Sequence, residues 1–217
     1  MKKRYAFLLI AFVSILSSCS KDKIINTPDR VGISKVTYYP IITLTGNTII
    51  AIANGTTFTD PGVKATAGSS DVPVTTSGTV DANTDGVYTL TYSATNSDGF
   101  SSTATRKVAV YTTAADAAAN DLSGNYARTT NGSVATWTKI APGVYTVFNP
   151  GGAIGTNLTV VAINPSGFTI SIPPQLASDG SPTSSSNESY TNSNPATYSW
   201  KIVNPGYGTA LRTFIKQ

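Results

Sequence analysis

The chain has 217 residues, with 15 lysines and arginines against 11 acidic residues, no histidine and one cysteine. The lack of histidine removes the usual general base near neutral pH and the commonest zinc ligand, and one thiol cannot form a disulfide within the chain. Three of the basic residues are Lys2, Lys3 and Arg4, so the remaining chain is nearly neutral, and it carries no basic patch of the kind that nucleic-acid binding requires.

The N-terminus has the layout of an export signal. Its basic start is followed by an apolar run from Tyr5 to Leu16 and then by Ser17 and Ser18. The run is shorter than the roughly 20 apolar residues that span a bilayer, so we expect residues 1–18 to be a signal peptide. The sequence Leu-Ser-Ser-Cys that ends at Cys19 resembles a bacterial lipobox. That resemblance implies acylation of the Cys19 thiol and attachment to a membrane, and the alternative is a plain signal peptide beside an incidental cysteine.

A polar segment, residues 19–35, follows the signal. We interpret it as a flexible tether between the lipid and the first domain. The Lys21-Asp22 pair resembles the charged export signals of surface-exposed lipoproteins of Bacteroidetes, although a solvated linker explains the pair equally well.

Residues 36–112 are rich in Thr, Val and Tyr, which favour pleated sheet, and turn signals such as Asp60-Pro61-Gly62 divide them into short strands. In the clearest strand, residues 87–95, apolar and hydroxyl side chains alternate as a half-buried antiparallel strand requires. Arg106 and Lys107, near the end of a strand, are expected to be solvated. Six short strands predict a β-sandwich, over residues 36–44, 48–52, 63–67, 72–76, 87–95 and 101–111.

Residues 113–121 contain the chain's alanine-rich stretch and are predicted to be a linker, either a turn or a short helix. A second β pattern fills residues 122–217, which we expect to form a small antiparallel sandwich or barrel. Residues 178–195, rich in Ser, Asn and Pro, are predicted to be a long loop, functional or, as we favour, mobile. The predicted strands here cover residues 134–139, 143–148, 158–163, 167–172, 197–203 and 210–216.

Two motifs in the first domain carry a family resemblance. One is Gly55-Thr-Thr-Phe-Thr-Asp60-Pro61-Gly62-Val63, and the other is the Gly-x-Tyr-x-x-x-Tyr strand that ends in Tyr92. Together they resemble the bacterial Ig-like domains of surface proteins, in the branch without disulfides. Independently of the family, Tyr88 or Tyr92 could bury its ring while its hydroxyl bonds to the backbone, and Asp60 could cap its own turn.

The whole layout of lipobox, tether, Ig-like domain and small β domain is similar to accessory outer-membrane lipoproteins of polysaccharide-utilisation systems in Bacteroidetes, of the SusE and SusF type. The likeness implies a cell-surface protein of the outer membrane. It also implies polysaccharide capture or support of a SusC/SusD-like import complex.

Glycan binding needs exposed aromatic faces with polar groups beside them, and the second domain supplies both residue types. Large aromatics on alternating strands are more often core residues than sugar platforms, which applies to both tryptophans, while Tyr207 lies between two glycines in a loop and is the better exposed candidate. Arg212 and several asparagines are further polar partners. The candidate ligand-binding residues are Trp137, Trp200, Tyr207, Tyr145 and Arg128.

The sequence contains few residues in patterns that indicate catalysis or metal binding. The acidic residues lie mostly in turns, and no pair of them suggests acid–base hydrolysis. The oxygen-bearing run from Asp81 to Asp85 could hold calcium, but a plain turn explains it better. We therefore expect no enzyme activity, cofactor or metal. The sequence predicts a surface-anchored binding module, and the alternative is a structural or assembly subunit of an outer-membrane complex with no ligand of its own.

Overall fold

The computed structural model describes residues 30–31 and 34–217. The predicted signal peptide, residues 1–18, and Cys19 lie outside the described residues. The described chain is almost entirely β, which confirms the predicted all-β class. Its elements are β1 Arg30–Val31, β2 Ser34–Lys35, β3 Ile41–Leu44, β4 Ile49–Ala53, β5 Val63–Ala67, β6 Ser70–Asp71, β7 Val74–Ser77, β8 Gly86–Thr95, β9 Ser101–Tyr111, α1 Ala115–Ala118, β10 Gly124–Arg128, β11 Val134–Ala141, β12 Val144–Phe148, β13 Thr159–Ile163, β14 Gln175–Leu176, β15 Pro182–Thr191, β16 Thr197–Val203 and β17 Arg212–Lys216.

The chain divides into two units, residues 1–38 and residues 39–217. In the first unit, β1 and β2 pair antiparallel, with Arg30 opposite Lys35. This short ribbon lies within the segment that the sequence assigns to the tether. All later elements belong to the second unit.

Strands β3 to β9 form a two-sheet β-sandwich, called here the sandwich. One sheet has the order β3-β5-β6, and the other has the order β4-β9-β8-β7, in which β4 runs parallel to β9. The alternation predicted for residues 87–95 is present, because Leu90, Tyr92 and Ala94 are all buried. The hydroxyl-bearing residues between them face the other side of the strand.

A buried arginine holds the sandwich core together at one end. Arg106 is fully buried, its Nη1 lies 3.3 Å from the Asp60 carboxylate, and its Nη2 donates to the carbonyls of Thr45 and Gly62 at 2.8 and 3.1 Å. Tyr92 donates its hydroxyl proton to the same carboxylate at 2.6 Å. The expectation that Arg106 is solvated is therefore wrong. An inward position on β9 buries its side chain, and Asp60 compensates its charge.

Strands β10 to β17 form an eight-stranded sheet in the order β13-β12-β11-β10-β17-β16-β15-β14, called here the barrel. The sheet curls around a core rich in aromatic rings. Every second residue of its strands points inward and contributes its side chain to this core. Trp137 and Trp200 stack at its centre with ring centroids 5.4 Å apart. Tyr198 and Phe214 stack beside them at 4.6 Å.

The barrel is nearly closed, and side chains bridge the remaining gap between β13 and β14. The Gln175 amide pairs with both backbone groups of Val161. Ser178 N–H donates to the Thr159 carbonyl at 3.0 Å, and Thr159 N–H donates to the Ser178 hydroxyl at 2.9 Å. These bonds replace the backbone ladder that the two edge strands do not form, so little unpaired edge remains.

The outer face of β12 and β13 packs against the sandwich. The shared apolar cluster contains Ala109 and Tyr111 of β9 and Val144, Val161 and Ile163 of the barrel. Lys107 of β9 also reaches across, with Nζ 3.4 Å from Gln175 Oε1. Lys107 is half-buried at this junction rather than solvated, so the sequence expectation is wrong for this residue too.

The largest departure from the sequence prediction is the segment 178–195. Instead of a mobile loop, it contains the ten-residue strand β15, which pairs with β16 through most of its length. Ser and Asn favour turns on average, but here the strand partner and side-chain bonds decide the conformation. Ser185, for example, accepts the Ile172 N–H at 2.7 Å and donates to Glu188 at 2.6 Å.

Other element boundaries differ in smaller ways. The strand predicted at residues 167–172 is reduced to a single bridge between Ser171 and Ile163. Strands β6, β10 and β14 were not predicted, while the alanine-rich linker does contain a short helix, α1. Among the described residues, no helix is long and apolar enough to cross a membrane.

Candidate functional site

Three of the five predicted ligand-binding residues are core residues. Trp137, Trp200 and Tyr145 are 2%, 0% and 0% exposed. Their inward positions on β11, β16 and β12 cover the ring faces with other aromatic side chains. They cannot stack on a sugar, so the prediction of direct ligand contact is corrected for these residues, and the core alternative is the observed one.

Trp200 has a second role beneath one end of the barrel. Its Nε1 donates to the Pro150 carbonyl at 2.8 Å and so fixes the loop that follows β12. Asn149 fastens the same loop, because its side chain donates to the Val134 carbonyl and accepts the Ala153 N–H. The loop backbone is therefore held on a rigid support, as a binding surface requires.

Tyr207 lies on a different loop, between β16 and β17, and packs against the loop that follows β12. Its ring packs so closely against Gly151 that a Cβ at position 151 would overlap the ring. The Tyr207 hydroxyl lies 3.4 Å from the Thr156 hydroxyl. The Arg212 guanidinium carbon lies 5.0 Å from the ring centroid, within the range of a cation–π contact. Tyr207 is partly buried, so it is more exposed than Trp137, Trp200 and Tyr145, as its loop position predicts, but it is not freely exposed.

Arg128, the last residue of β10, also contacts the loop that follows β12. Its Nη1 donates to the Gly152 carbonyl at 3.2 Å, and Asn131 donates to the same oxygen at 3.1 Å. A Cβ at Gly152 would overlap the aliphatic part of Arg128, so the glycine allows this close approach. We call Arg128, Gly151, Gly152, Tyr207 and Arg212 the arginine end of the barrel.

The arginine end concentrates positive charge. Arg212 is 7% exposed, and it points inward from β17 beside Phe214. Burial, together with the nearby charge of Arg128, lowers the pKa of Arg212 from its ordinary value. Within the described residues, neither Arg128 nor Arg212 has a carboxylate in salt-bridge range.

The sequence singled out Arg128 and Tyr207 but gave Arg212 only as a further polar partner. Its burial depends on the register between β16 and β17, which places Arg212 opposite Trp200. From its sequence, the Pro150-Gly151-Gly152 run indicates only a turn between strands. The two adjacent glycines were the available signal, because residues without a Cβ allow close approach of other side chains to the backbone.

The other sequence candidates have structural roles. Asp81 accepts hydrogen bonds from Asn83 N–H and the Thr84 hydroxyl, which supports the turn interpretation of that run. Asp85 accepts from Asn54 at 2.6 Å. In the described part of the chain, no group of three or more acidic, histidine or cysteine residues is arranged to hold a metal ion.

The first domain matches a known family. Residues 42–110 match the family model of the Ig-like domain of bacterial surface proteins. The Ig-like domain predicted from the two sequence motifs is therefore present, and it coincides with the sandwich. The chain therefore contains an Ig-like domain followed by a nearly closed antiparallel barrel.

No curated protein matches the chain at a significant level. Among solved structures, it is similar to the crystal structure of a lipoprotein from Bacteroides thetaiotaomicron, with 23% sequence identity and a TM-score of 0.44 over 82% of this chain and 100% of that chain.

Proposed function

We propose that this protein is a lipoprotein anchored at the bacterial cell surface, where it acts as a non-enzymatic binding module for a glycan. In this proposal the Ig-like domain is a spacer, and the arginine end of the barrel is the binding surface. The match of residues 42–110 to a surface Ig-like domain supports the location. The lipobox at Cys19 supports the anchor.

The observation that carries the binding proposal is the composition of the arginine end. An aromatic ring, two guanidinium groups and hydroxyl and amide side chains meet where the loop after β12, which Trp200 and Asn149 fasten, packs against the loop between β16 and β17. Aromatic surface with a few convergent polar groups is typical of small-ligand sites, and sugar rings offer both an apolar face and hydroxyl groups to such a surface. No pair of carboxylates is part of the arginine end, so binding without hydrolysis is the proposed outcome.

Affinity electrophoresis of the purified full chain in gels that contain different polysaccharides tests the proposal. We expect retardation by at least one polysaccharide, and no release of reducing sugar. Gly151→Ala should weaken the retardation because its Cβ would displace the Tyr207 ring. Gly208→Ala is the matched control, since a Cβ there meets no atom within 4 Å. Equal binding by both variants, or no retardation by any polysaccharide, contradicts the proposal.

The anchor has its own test. Labelling of cells with an alkyne-tagged fatty acid should modify the wild-type protein and leave Cys19→Ser unmodified. Mass spectrometry of the mature N-terminus should place the lipid on Cys19. A secreted polypeptide with an unmodified thiol contradicts the lipoprotein assignment.

A second candidate function is that of an assembly subunit in an outer-membrane complex of the SusC/SusD type. It is favoured by an apolar cleft beside β14 to β16, lined by Pro174, Pro182, Pro205 and Val203. Val203 is 53% exposed and the neighbouring Leu176 is 46% exposed. Exposed apolar patches of this kind mark interaction surfaces.

Variants in the cleft and variants at the arginine end distinguish the two functions. If the cleft is the functional surface, Val203→Asp should abolish co-purification with a membrane complex, while Thr213→Asp on an exposed face of β17 should not. In that case the arginine-end variants would leave the complex intact.

A further inference from the structure

We infer that the arginine end binds an anionic group, so that the ligand is an acidic sugar that carries a carboxylate or a sulfate ester. This inference deepens the proposed function and rests on it for the sugar, but the anion site itself is a separate claim. It starts from the two arginines that lie at this end of the barrel without an acidic partner among the described residues.

The hydrogen-bonding capacity of the two guanidinium groups is largely unused. Arg212 donates through Nη1 to the Gly208 carbonyl at a long 3.5 Å, and Arg128 donates through Nη1 to the Gly152 carbonyl at 3.2 Å. In the described part of the chain, the Nε atoms of both residues are buried without a hydrogen-bond partner. The Nη2 atoms of both residues make no hydrogen bond among the described residues and are not fully buried, so they are the donors that a ligand oxygen can engage.

The sandwich shows how the same chain treats a buried arginine that has only a structural role. Arg106 is fully buried, and the Asp60 carboxylate lies 3.3 Å from it. Arg212 is nearly as buried, but Tyr207 provides only a cation–π contact, and its nearest charged neighbour is another arginine. Two like charges at a partly buried site disfavour folding unless an opposite charge joins them.

Carboxylates and sulfate esters match this arrangement chemically. Arginine presents parallel N–H donors to two oxygens of one anionic group, which adds direction as well as strength. The Tyr207 ring lies beside Arg212 and offers apolar surface next to the anion. A sugar that carries its charge on one substituent could contact both groups at once.

The experiment compares three gels that share one backbone: dextran, carboxymethyl-dextran and dextran sulfate. The purified full chain should be retarded by one or both acidic polymers and much less by dextran, and the two acidic gels distinguish a carboxylate site from a sulfate site. Arg212→Met and Arg128→Met should each weaken retardation about tenfold to a hundredfold, the usual value of a charge-assisted hydrogen bond. Lys64→Met removes one exposed charge from β5 and should change little.

A second measurement works without a polysaccharide. The unfolding temperatures of wild type and Arg212→Met are compared in sodium chloride and sodium sulfate at equal ionic strength. Sulfate stabilises proteins generally, so the diagnostic quantity is the difference between the two proteins. The wild type and Lys64→Met should gain several degrees more than Arg212→Met. In chloride alone, Arg212→Met should be at least as stable as wild type, because the substitution removes a buried charge that no carboxylate compensates.

The outcomes separate the two proposals. Retention in all three gels with unchanged binding by the arginine variants overturns the anion site and leaves glycan binding intact. No retention in any gel contradicts the proposed function in this polymer family, and the sulfate measurement then decides the anion site alone. Equal sulfate gains for wild type and Arg212→Met, or a large loss of stability for Arg212→Met in chloride, overturn the anion site, since the arginine would then be structural.

Discussion

Gln175 and Val161 form a closed pair of hydrogen bonds across the open seam of the barrel. The Val161 N–H donates to Gln175 Oε1 at 2.8 Å, and Gln175 Nε2 donates to the Val161 carbonyl at 2.7 Å. A side-chain amide thus imitates the backbone of a missing strand. Because Lys107 of the sandwich also donates to Gln175 Oε1, this residue couples barrel closure to the junction with the Ig-like domain.

Replacement of Gln175 should therefore destabilise the protein. Gln175→Ala leaves both buried backbone groups of Val161 without partners, which should lower the free energy of unfolding by about 2–4 kcal/mol. Urea unfolding followed by tryptophan fluorescence measures the change. Gln217→Ala, which removes an exposed amide, is the matched control and should be nearly neutral. A neutral Gln175→Ala would mean that the seam does not need the amide.

Lys107 should make stability depend on pH in the alkaline range. Burial lowers its pKa from 10.5 to about 8, against the opposing charge of Asp179. Between about pH 8 and 10 the unfolded chain binds more protons at this amine than the folded protein does, so stability should rise with pH. The rise should amount to about 2 kcal/mol.

The comparison of wild type with Lys107→Met isolates this effect, because other groups titrate equally in both proteins. The variant should be more stable than wild type at pH 7, and the difference should shrink as pH approaches 10. Chemical unfolding at each pH provides the measurement. A difference that stays constant with pH would mean that the Lys107 amine keeps its ordinary pKa.

Protonation of Asp60 should be the main cause of the loss of stability of the Ig-like domain at low pH. Burial acts to raise its pKa, but hydrogen bonds from Tyr92 and the Gly62 N–H, together with the Arg106 charge, outweigh burial and lower it. A lowered folded-state pKa gives stability that is present above about pH 4 and is lost as pH falls through the folded value.

Asp60→Asn removes that dependence and leaves Arg106 buried without its carboxylate. The variant should be less stable than wild type at pH 7 by about 3 kcal/mol or more, and the gap should narrow below pH 4. Asp71→Asn, at an exposed position on β6, is the control. An unchanged acid transition in Asp60→Asn would contradict the assigned role.

The two tryptophans provide a matched test of loop support. Both are buried, but Trp200 Nε1 donates to Pro150, whereas Trp137 Nε1 has no hydrogen-bond partner in the described chain. Trp200→Phe should therefore lower the free energy of unfolding by about 1–2 kcal/mol more than Trp137→Phe does, because only Trp200→Phe leaves a buried carbonyl, that of Pro150, unpaired. It should also weaken ligand binding more, through the loop that carries Gly151. Equal effects of the two substitutions on both readouts would remove Trp200 from the support of the site.

Prediction from the sequence succeeded where the pattern is local. The alternation of Tyr88 to Ala94 sufficed for β8, and the Asp60-Pro61-Gly62 turn forms as predicted, with the Gly62 N–H bound to Asp60 Oδ1 at 3.0 Å. It failed where a distant partner decides. The Ser-rich residues 182–191 become a strand because β16 pairs with them, and no local preference indicates this.

The candidate site shows the same division. Arg128 and Tyr207 were recognised by residue type, but the exposure of Trp137, Trp200 and Tyr145 depends on which face of each strand turns toward the barrel core. The importance of Arg212 depends on the register of β16 and β17. These are properties of strand pairing and curvature rather than of composition.

The sequence alone determined the all-β class, the Ig-like domain and the scarcity of groups for acid–base chemistry, because strand alternation, turn residues and composition act over a few neighbouring positions. Tertiary structure decided that the tryptophans are buried, that Gln175 closes the barrel and that Arg128 and Arg212 lie at the same end of the barrel. Such relationships join residues that are 14 to 84 positions apart along the chain. Only the folding of the sheet brings them together, since burial and charge compensation depend on neighbours in space.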